Sequence, residues 1–522
     1  MKVIVIGLDG ASWIPLENWI ARGELPNLRR IREQGSWGRL RSCLPPVTSP
    51  NWKCYATGTN PGKLGVFWWE IVDFERGEII TPRSTSFTGT ELWDYLGESG
   101  KRVGIVNMPT CYPPRPVNGF MIAGGPDALE SGFCHPPELE RRLTERGYRI
   151  LPERIAFLPD RDRRAIDEVL ELIELRFQLG QELLEEFDLD LLHLTIYLIN
   201  VLQHHFGDAP RVLEAWKLID RGIGNCLKRF DDVTVFLMSD HGTNRIRCKF
   251  NVNTWLASEG YLVVKKRPAK ELLFKLGVHK DSVSRLLTRL GLKDLVKRKL
   301  SQSVRNILPT ETGAVMSAGK AVLIDWERTQ AYGLGQGPIH LSPHLSNRER
   351  DLLREEIKRK LNELACDGGR KIARAVHTKE EIYHGPYLER APDLIIDQND
   401  GIHISNSIGF RSVFELPGRW KGENARIGLF AAWGSGIRTG RLDRDVEITD
   451  LAPTILHLMG EAVSEEMDGR VLTEIFTDGS DPHAREVRYQ NRTDELERGK
   501  QGPARETDRQ VESRLKDLGY LG

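Results

Sequence analysis

Two short acidic turns hold the residues best equipped for chemistry: Gly7-Leu8-Asp9-Gly10 and Ser239-Asp240-His241-Gly242. A single Asp after an apolar run is often just a helix cap or a turn former. Two such turns, one with an adjacent His, offer two carboxylates and an imidazole, a donor set that suits Zn²⁺ or Mn²⁺. Between them lies Leu44-Pro45-Pro46-Val47-Thr48-Ser49-Pro50-Asn51-Trp52, and then Ala56-Thr57-Gly58-Thr59-Asn60-Pro61-Gly62-Lys63-Leu64-Gly65. Hydroxyls framed by prolines at a helix start fit a rigidly held nucleophile, because the helix dipole and its free N–H groups favour a phosphoryl group's negative charge. A metal ion lowers the pKa of such a hydroxyl far enough for attack near neutral pH. In isolation the same hydroxyls read more simply as a helix cap.

The elements around these residues point to one architecture. Residues 2–7 are a continuous β-branched run, as expected of a strand buried on both faces of a parallel sheet, with Asp9 just past its carboxyl end. Further strand-like runs occupy 102–107, 232–238, 320–325, 392–396 and 427–432, and His193 falls in another strand ahead of the site. Helical patterns at 24–34, 163–187 and 209–229 alternate with them. This alternation predicts an α/β fold, a doubly wound and mostly parallel sheet with helices on both faces, whose ligands gather beyond the strands' carboxyl ends. The expected division is a catalytic body over 1–262 and 312–477, a basic helical insertion over 263–311, and a charged tail over 478–522. The insertion places leucines at helical spacing, as in Ser284-Arg285-Leu286-Leu287-Thr288-Arg289-Leu290, and is expected to pack them on the body. The stretch 478–509 is polar and Gly/Pro-punctuated, which predicts mobile surface chain before a short terminal helix over 511–522.

In combination, the three motifs resemble the alkaline-phosphatase superfamily. Within it they are most similar to the type I phosphodiesterase/nucleotide pyrophosphatase-like branch, especially its phosphohydrolase/phosphomutase group. Supporting stretches are Asp325-Trp326-Glu327-Arg328-Thr329-Gln330-Ala331-Tyr332, Ala391-Pro392-Asp393-Leu394-Ile395-Ile396 and Leu518-Gly519-Tyr520-Leu521. The resemblance implies that Thr48 is the nucleophile, with Ser49 as fallback, and that Asp9, Thr48, Asp240 and His241 hold one divalent metal ion. Sulfatases in the superfamily carry Cys or Ser at the position of Thr48 and Arg four residues on. Here Trp52 stands in that place and Thr cannot become formylglycine, so sulfatase chemistry is disfavoured.

A second metal position departs from the resembled pattern. The pattern has Asp and His four residues apart on a helix and a further His before a late strand; this chain has Asn200, His204 and Asn424. Two amides and one imidazole lack the carboxylate's charge and bind Zn²⁺ far less well. They suit substrate contacts or a weakly held harder ion. Nearby, His205 is expected to face solvent. The residues leave three readings open: a phosphomonoester or phosphodiester hydrolase working through a Thr48-phosphoryl intermediate, a phosphotransferase or mutase variant, and a non-catalytic relative that binds a phosphorylated ligand or a partner.

Composition narrows the partners. The chain has 522 residues, with 74 basic and 74 acidic side chains and no formal net charge. It therefore has no whole-protein field to attract nucleic acid or anionic membrane, and no nucleic-acid-binding signature; a small phosphorylated substrate is the expected partner. The seven cysteines are scattered, odd in number and never in C-x-x-C spacing, which argues against a thiolate metal site and a disulfide framework and suits a reducing compartment. No apolar run approaches the roughly 20 residues needed to span a bilayer, and no secretory leader is evident at the start. The expected location is the cytoplasm.

Overall fold

A computed structural model describes residues 2–153, 163–207, 209–230, 232–265, 323–366, 368–408, 412–418 and 420–491, together with 283, 321, 511, 514 and 515. Most of the insertion expected over 263–311, and most of the terminal helix, lie outside the described residues.

The central element is a ten-stranded, mostly parallel sheet. Lys2–Leu8 runs parallel between Leu191–Ile196 on one side and Val233–Met238 on the other. Val103–Met108 and Gly119–Ala123 extend the sheet in the same sense beyond Leu191–Ile196. The three inner strands are apolar and buried along nearly their whole length, which is why they read as unbroken hydrophobic runs rather than alternating ones. Helices Arg163–Glu186 and Pro210–Arg229 pack together beside the sheet through apolar faces. Pro26–Gln34 starts on Pro26, whose fixed φ and missing N–H suit a first helical position.

Register explains how residues far apart in sequence share one edge. Gly7 sits opposite Met238, and Asp9 and Asp240 each lie two residues further on, beyond neighbouring strand ends. Leu191–Ile196 ends at the same edge and leads into helix Leu198–Phe206, which carries Asn200 and His204. Ile427–Trp433 joins the sheet antiparallel to both Val233–Met238 and Ser36–Arg41, so its first residue lies at the edge where the others finish. The chain leaves that edge from Arg41 and reaches helix Thr48–Thr57 within a few residues.

Five smaller sheets lie outside the central one among the described residues. Ala331–Gly333, Pro338–Leu341, Leu394–Gln398 and Ala373–Thr378 form a four-stranded sheet, while Ile402–Ser405, Cys248–Asn251 and Phe414–Glu415 form a three-stranded one. The run at 392–396 therefore belongs to a separate sheet, starting after Pro392 and Asp393. The run at 320–325 makes no strand among its described residues; Ile324 forms one isolated bridge with Val264 before the chain turns. Of the stretch expected to be mobile, 478–509, only residues 478–491 are described; the rest lies outside the described residues. Tyr489–Gln490 pairs with Val463–Ser464, and Val511 and Leu515 are buried. All seven cysteines are free thiols, and no described helix is long and apolar enough to cross a membrane.

Candidate active site

Asp9, Asp240 and His241 come together at the sheet edge, each offering a ligand atom within 4.8 Å of the others, and all are fully buried. The His241 Nδ1 atom lies 2.9 Å from the Gly242 carbonyl, so it donates there and leaves Nε2 to face the site. That nitrogen lies 3.2 Å from Asp240 Oδ2, 3.6 Å from Asp9 Oδ1 and 3.2 Å from Thr48 Oγ1. Neither carboxylate oxygen has a hydrogen-bond partner among the described residues. Two buried carboxylate oxygens, an imidazole nitrogen and a hydroxyl oxygen thus converge. A cation satisfies this arrangement, and the N/O donor set fits Zn²⁺ or Mn²⁺. Burial, and after it repulsion from Asp240, pushes the Asp9 carboxyl well above its ordinary range, against hydrogen bonds from Trp52 and Asn200. Burial also raises Asp240, opposed by His241 and by the Gly10 N–H.

Thr48 is the first residue of its helix, and the whole helix is buried. No side chain caps this end, and Pro50 contributes no N–H. The approach loop is held by Asn51, whose Nδ2 lies 2.9 Å from the Val47 carbonyl, 3.0 Å from that of Pro45 and 3.4 Å from that of Cys43. Tyr383 donates to the Leu44 carbonyl from another part of the chain. Ser49 Oγ is buried without a partner among the described residues, so both hydroxyls of the motif are shielded from solvent.

Sequence reasoning treated Trp52 only as a replacement for an arginine. Its indole Nε1 donates to Asp9 Oδ2 at 3.1 Å, leaving Oδ1 to face His241. The indole fits because Gly7 has no side chain: a Cβ there would lie 2.5 Å from the Trp52 ring. Behind it, His193 contacts Tyr55 Oη at 3.1 Å and Thr195 Oγ1 at 2.8 Å, and burial drives its pKa down to about 3. A neutral, fully hydrogen-bonded His193 supports the Trp52 ring and stands apart from the donor set.

The second position is built from amides. Asn200 lies against Gly10, where a Cβ would come within 2.3 Å of Asn200 Oδ1, and the positive φ of 68° is one that glycine adopts without strain. His204 Nδ1 donates to the Gly422 carbonyl at 2.7 Å, and burial drives its pKa down to about 3 against the pull of Glu423. Two residues after Gly422, Asn424 Nδ2 donates to the Pro46 carbonyl at 3.0 Å, tying this strand to the nucleophile loop. His205 is buried rather than solvent-facing, with its ring 5.9 Å from that of Trp420. The aromatic ring covers a helix position that sequence pattern alone assigned to the surface.

Glu423 is a further feature that no motif announced. It is fully buried, accepts from Gln336 Nε2 at 2.7 Å and from the Asn424 N–H at 2.9 Å, and pairs with His403. Burial opposes its ionisation, but the His403 charge and hydrogen bond, with His204 and the Asn424 N–H, hold the carboxyl below its usual range.

Comparison with known proteins agrees with this architecture. The chain is similar to phosphonoacetate hydrolase from Sinorhizobium meliloti 1021 in complex with phosphonoacetate, at 14% identity over 87% of this chain and 94% of that one, with a TM-score of 0.55. It is also similar to wild-type alkaline phosphatase PafA, at 13% identity over 91% of this chain and 99% of that one, again with a TM-score of 0.55. At these identities the likeness speaks for the fold, which is that of the alkaline-phosphatase superfamily. Residues 3–412 match the type I phosphodiesterase / nucleotide pyrophosphatase family, and the chain belongs to that family. Membership sets it among hydrolases of phosphoric esters. No curated protein matches it in sequence.

Proposed function

We propose that this protein is a phosphodiesterase that works through a Thr48-phosphoryl intermediate, with one tightly held divalent cation, Zn²⁺ or Mn²⁺, between Asp9, Thr48, Asp240 and His241. The observation that carries this reading is the convergence of His241 Nε2, Thr48 Oγ1 and the two unpartnered carboxylate oxygens. Held by Asp9, Thr48, Asp240 and His241, a divalent cation would lower the pKa of the Thr48 hydroxyl and screen phosphoryl oxygens. Thr48 Oγ1 bonds to phosphorus as the bond to the leaving-group oxygen breaks, and that oxygen takes up a proton. Water then attacks the same phosphorus, and Thr48 regains its hydroxyl. Trp52 and the His241–Gly242 contact orient the donor set, and the uncapped helix start faces the phosphoryl charge.

The charge balance favours a diester over a monoester. Two carboxylates already neutralise one divalent cation, and ionised Thr48 adds a further negative charge. With Asn200 and Asn424 where a second cation's ligands would stand, little remains to offset a dianion. A phosphomonoester is mostly dianionic above a second pKa of about 6, whereas a diester carries a single charge.

Elemental analysis of the purified protein is expected to give about one tightly held metal ion per chain, and Thr48→Ala to abolish diester hydrolysis while retaining the fold. Turnover by Thr48→Ala at the wild-type rate would move the nucleophile to Ser49 or elsewhere, and close to two metal equivalents would refute the single-cation assignment.

A further inference from the structure

The amide at position 424 has its orientation fixed by neighbours that can only accept. Glu423, held ionised beside His403, has no proton to give, so Gln336 must turn its Nε2 toward it and its Oε1 toward Asn424. Asn424 Nδ2 then faces two acceptors, Gln336 Oε1 at 3.4 Å and the Pro46 carbonyl at 3.0 Å. Turning the amide over would set its oxygen against both. Asn424 Oδ1 is left as a fully buried acceptor with no hydrogen-bond partner among the described residues. Gln336 reaches this place in a left-handed conformation, φ 57°, between Gly335 and Gly337. Such a conformation is uncommon for a non-glycine residue, and here it sits within a buried polar chain, which points to a role beyond packing.

A phosphoryl group consists of acceptors, so Asn424 Oδ1 cannot be its hydrogen-bonding partner. What this oxygen can take up is a hydrogen-bond donor or a cation, and with no carboxylate on Asn200 or Asn424 to hold the cation, the donor is favoured. We propose that Asn424 Oδ1, oriented by Gln336, Glu423 and the Pro46 carbonyl, reads a hydroxyl on the alcohol portion of the substrate, making the enzyme selective for phosphodiesters of polyols over those of simple alcohols. This inference rests on the phosphodiesterase reading and names the substrate class of the same site. Asn424 is the specificity-determining contact; Gln336 and Glu423 are positioning residues that act through it. A site built around a buried acceptor disfavours an analogue without the hydroxyl, because binding then leaves that acceptor unpaired.

The test compares methyl 2,3-dihydroxypropyl phosphate with methyl propyl phosphate on the metal-loaded enzyme, followed by phosphorus NMR. The wild-type ratio of kcat/KM is expected to be at least about tenfold in favour of the dihydroxy ester. Asn424→Leu is expected to bring the ratio to about one. If that variant does not fold, Gln336→Met, which leaves the Asn424 amide held at a single point, is expected to lower the ratio at least about threefold. A wild-type ratio near one, or a ratio that neither variant changes, overturns the proposal. Calorimetric binding of both esters to Thr48→Ala separates this inference from the catalytic one. Tighter binding of the dihydroxy ester supports it even without turnover, whereas equal affinities or binding of neither ester overturn it. A second tightly bound metal ion that is lost in Asn424→Leu also overturns it, since Oδ1 would then serve a cation.

Discussion

Trp52→Phe isolates the hydrogen bond that orients Asp9. The change keeps an aromatic ring against Gly7 and removes the indole N–H that donates to Asp9 Oδ2 at 3.1 Å. A hydrogen bond to a buried charged acceptor is worth about 1.5–3 kcal/mol. Without it, the Asp9 carboxylate loses one of the two side-chain donors that oppose the rise of its pKa and keeps only Asn200. If that whole contribution falls on the metal-bound form, metal affinity drops roughly ten- to a hundredfold, the range typical of lost outer-shell partners. The smaller ring also leaves a gap beside Tyr55 and His193, costing about 1–3 kcal/mol of stability. The assay is competition for Zn²⁺ against a chelator of known affinity, with thermal unfolding of the metal-loaded protein run in parallel. A control at Tyr55, Tyr55→Phe, loses the Oη contact to His193 but not the Asp9 bond, and is expected to keep its metal affinity within about threefold. Trp52→Phe that folds and binds Zn²⁺ as tightly as wild type would refute the assignment of Trp52 as the group that orients Asp9.

Three further outcomes follow from the same geometry. Removing the metal with a chelator is expected to lower the unfolding midpoint by several degrees, and Zn²⁺ or Mn²⁺ to restore it, because ligand binding to the folded state alone stabilises by about 2.7 kcal/mol at a hundredfold excess over Kd; no shift on scanning calorimetry would argue against the cation site. Asn51→Ala releases three carbonyl contacts in the Cys43–Val47 approach and is expected to cost about 1–3 kcal/mol in denaturant unfolding, with a larger fall in kcat than in substrate affinity; equal falls in both would mean that Thr48 is not displaced. Asn200→Asp combined with Asn424→His is expected to add a second metal equivalent and raise monoester turnover relative to diester turnover. Unchanged elemental analysis and an unchanged turnover ratio would show that residues other than these two set the single-cation character.

Part of this was readable in the sequence because buried parallel strands leave a plain signature. Val3–Leu8 and Val233–Met238 are apolar on both faces, and register alone then sets Asp9 and Asp240 side by side. Thr48 was marked by prolines whose backbone restrictions shape a helix start. Other features were not legible, for physical reasons. The antiparallel direction of Ile427–Trp433 leaves no mark on residue periodicity. The run at 320–325 has strand-like composition but only a single bridging pair at Ile324. His205 sits in the last turn of a short helix and is buried by Trp420, which lies more than two hundred residues away in sequence. Gln336 lies in the turn between Ala331–Gly333 and Pro338–Leu341, while His403 and Glu423 stand on strands Ile402–Ser405 and Gly422–Ala425 of two other sheets, so their chain of hydrogen bonds exists only after folding.

Thr48 and Trp52 share one rigid turn of a fully buried helix, and this couples two tasks that could have been separate. The hydroxyl that attacks and the indole that steadies the metal's carboxylate move as a single lever. A tilt of the helix large enough to misalign Thr48 also loosens the grip on Asp9, so the two losses compound instead of adding independently. Failure under heat, denaturant or a poorly chosen core substitution should accordingly be abrupt, with activity and metal vanishing together while much of the central sheet remains intact.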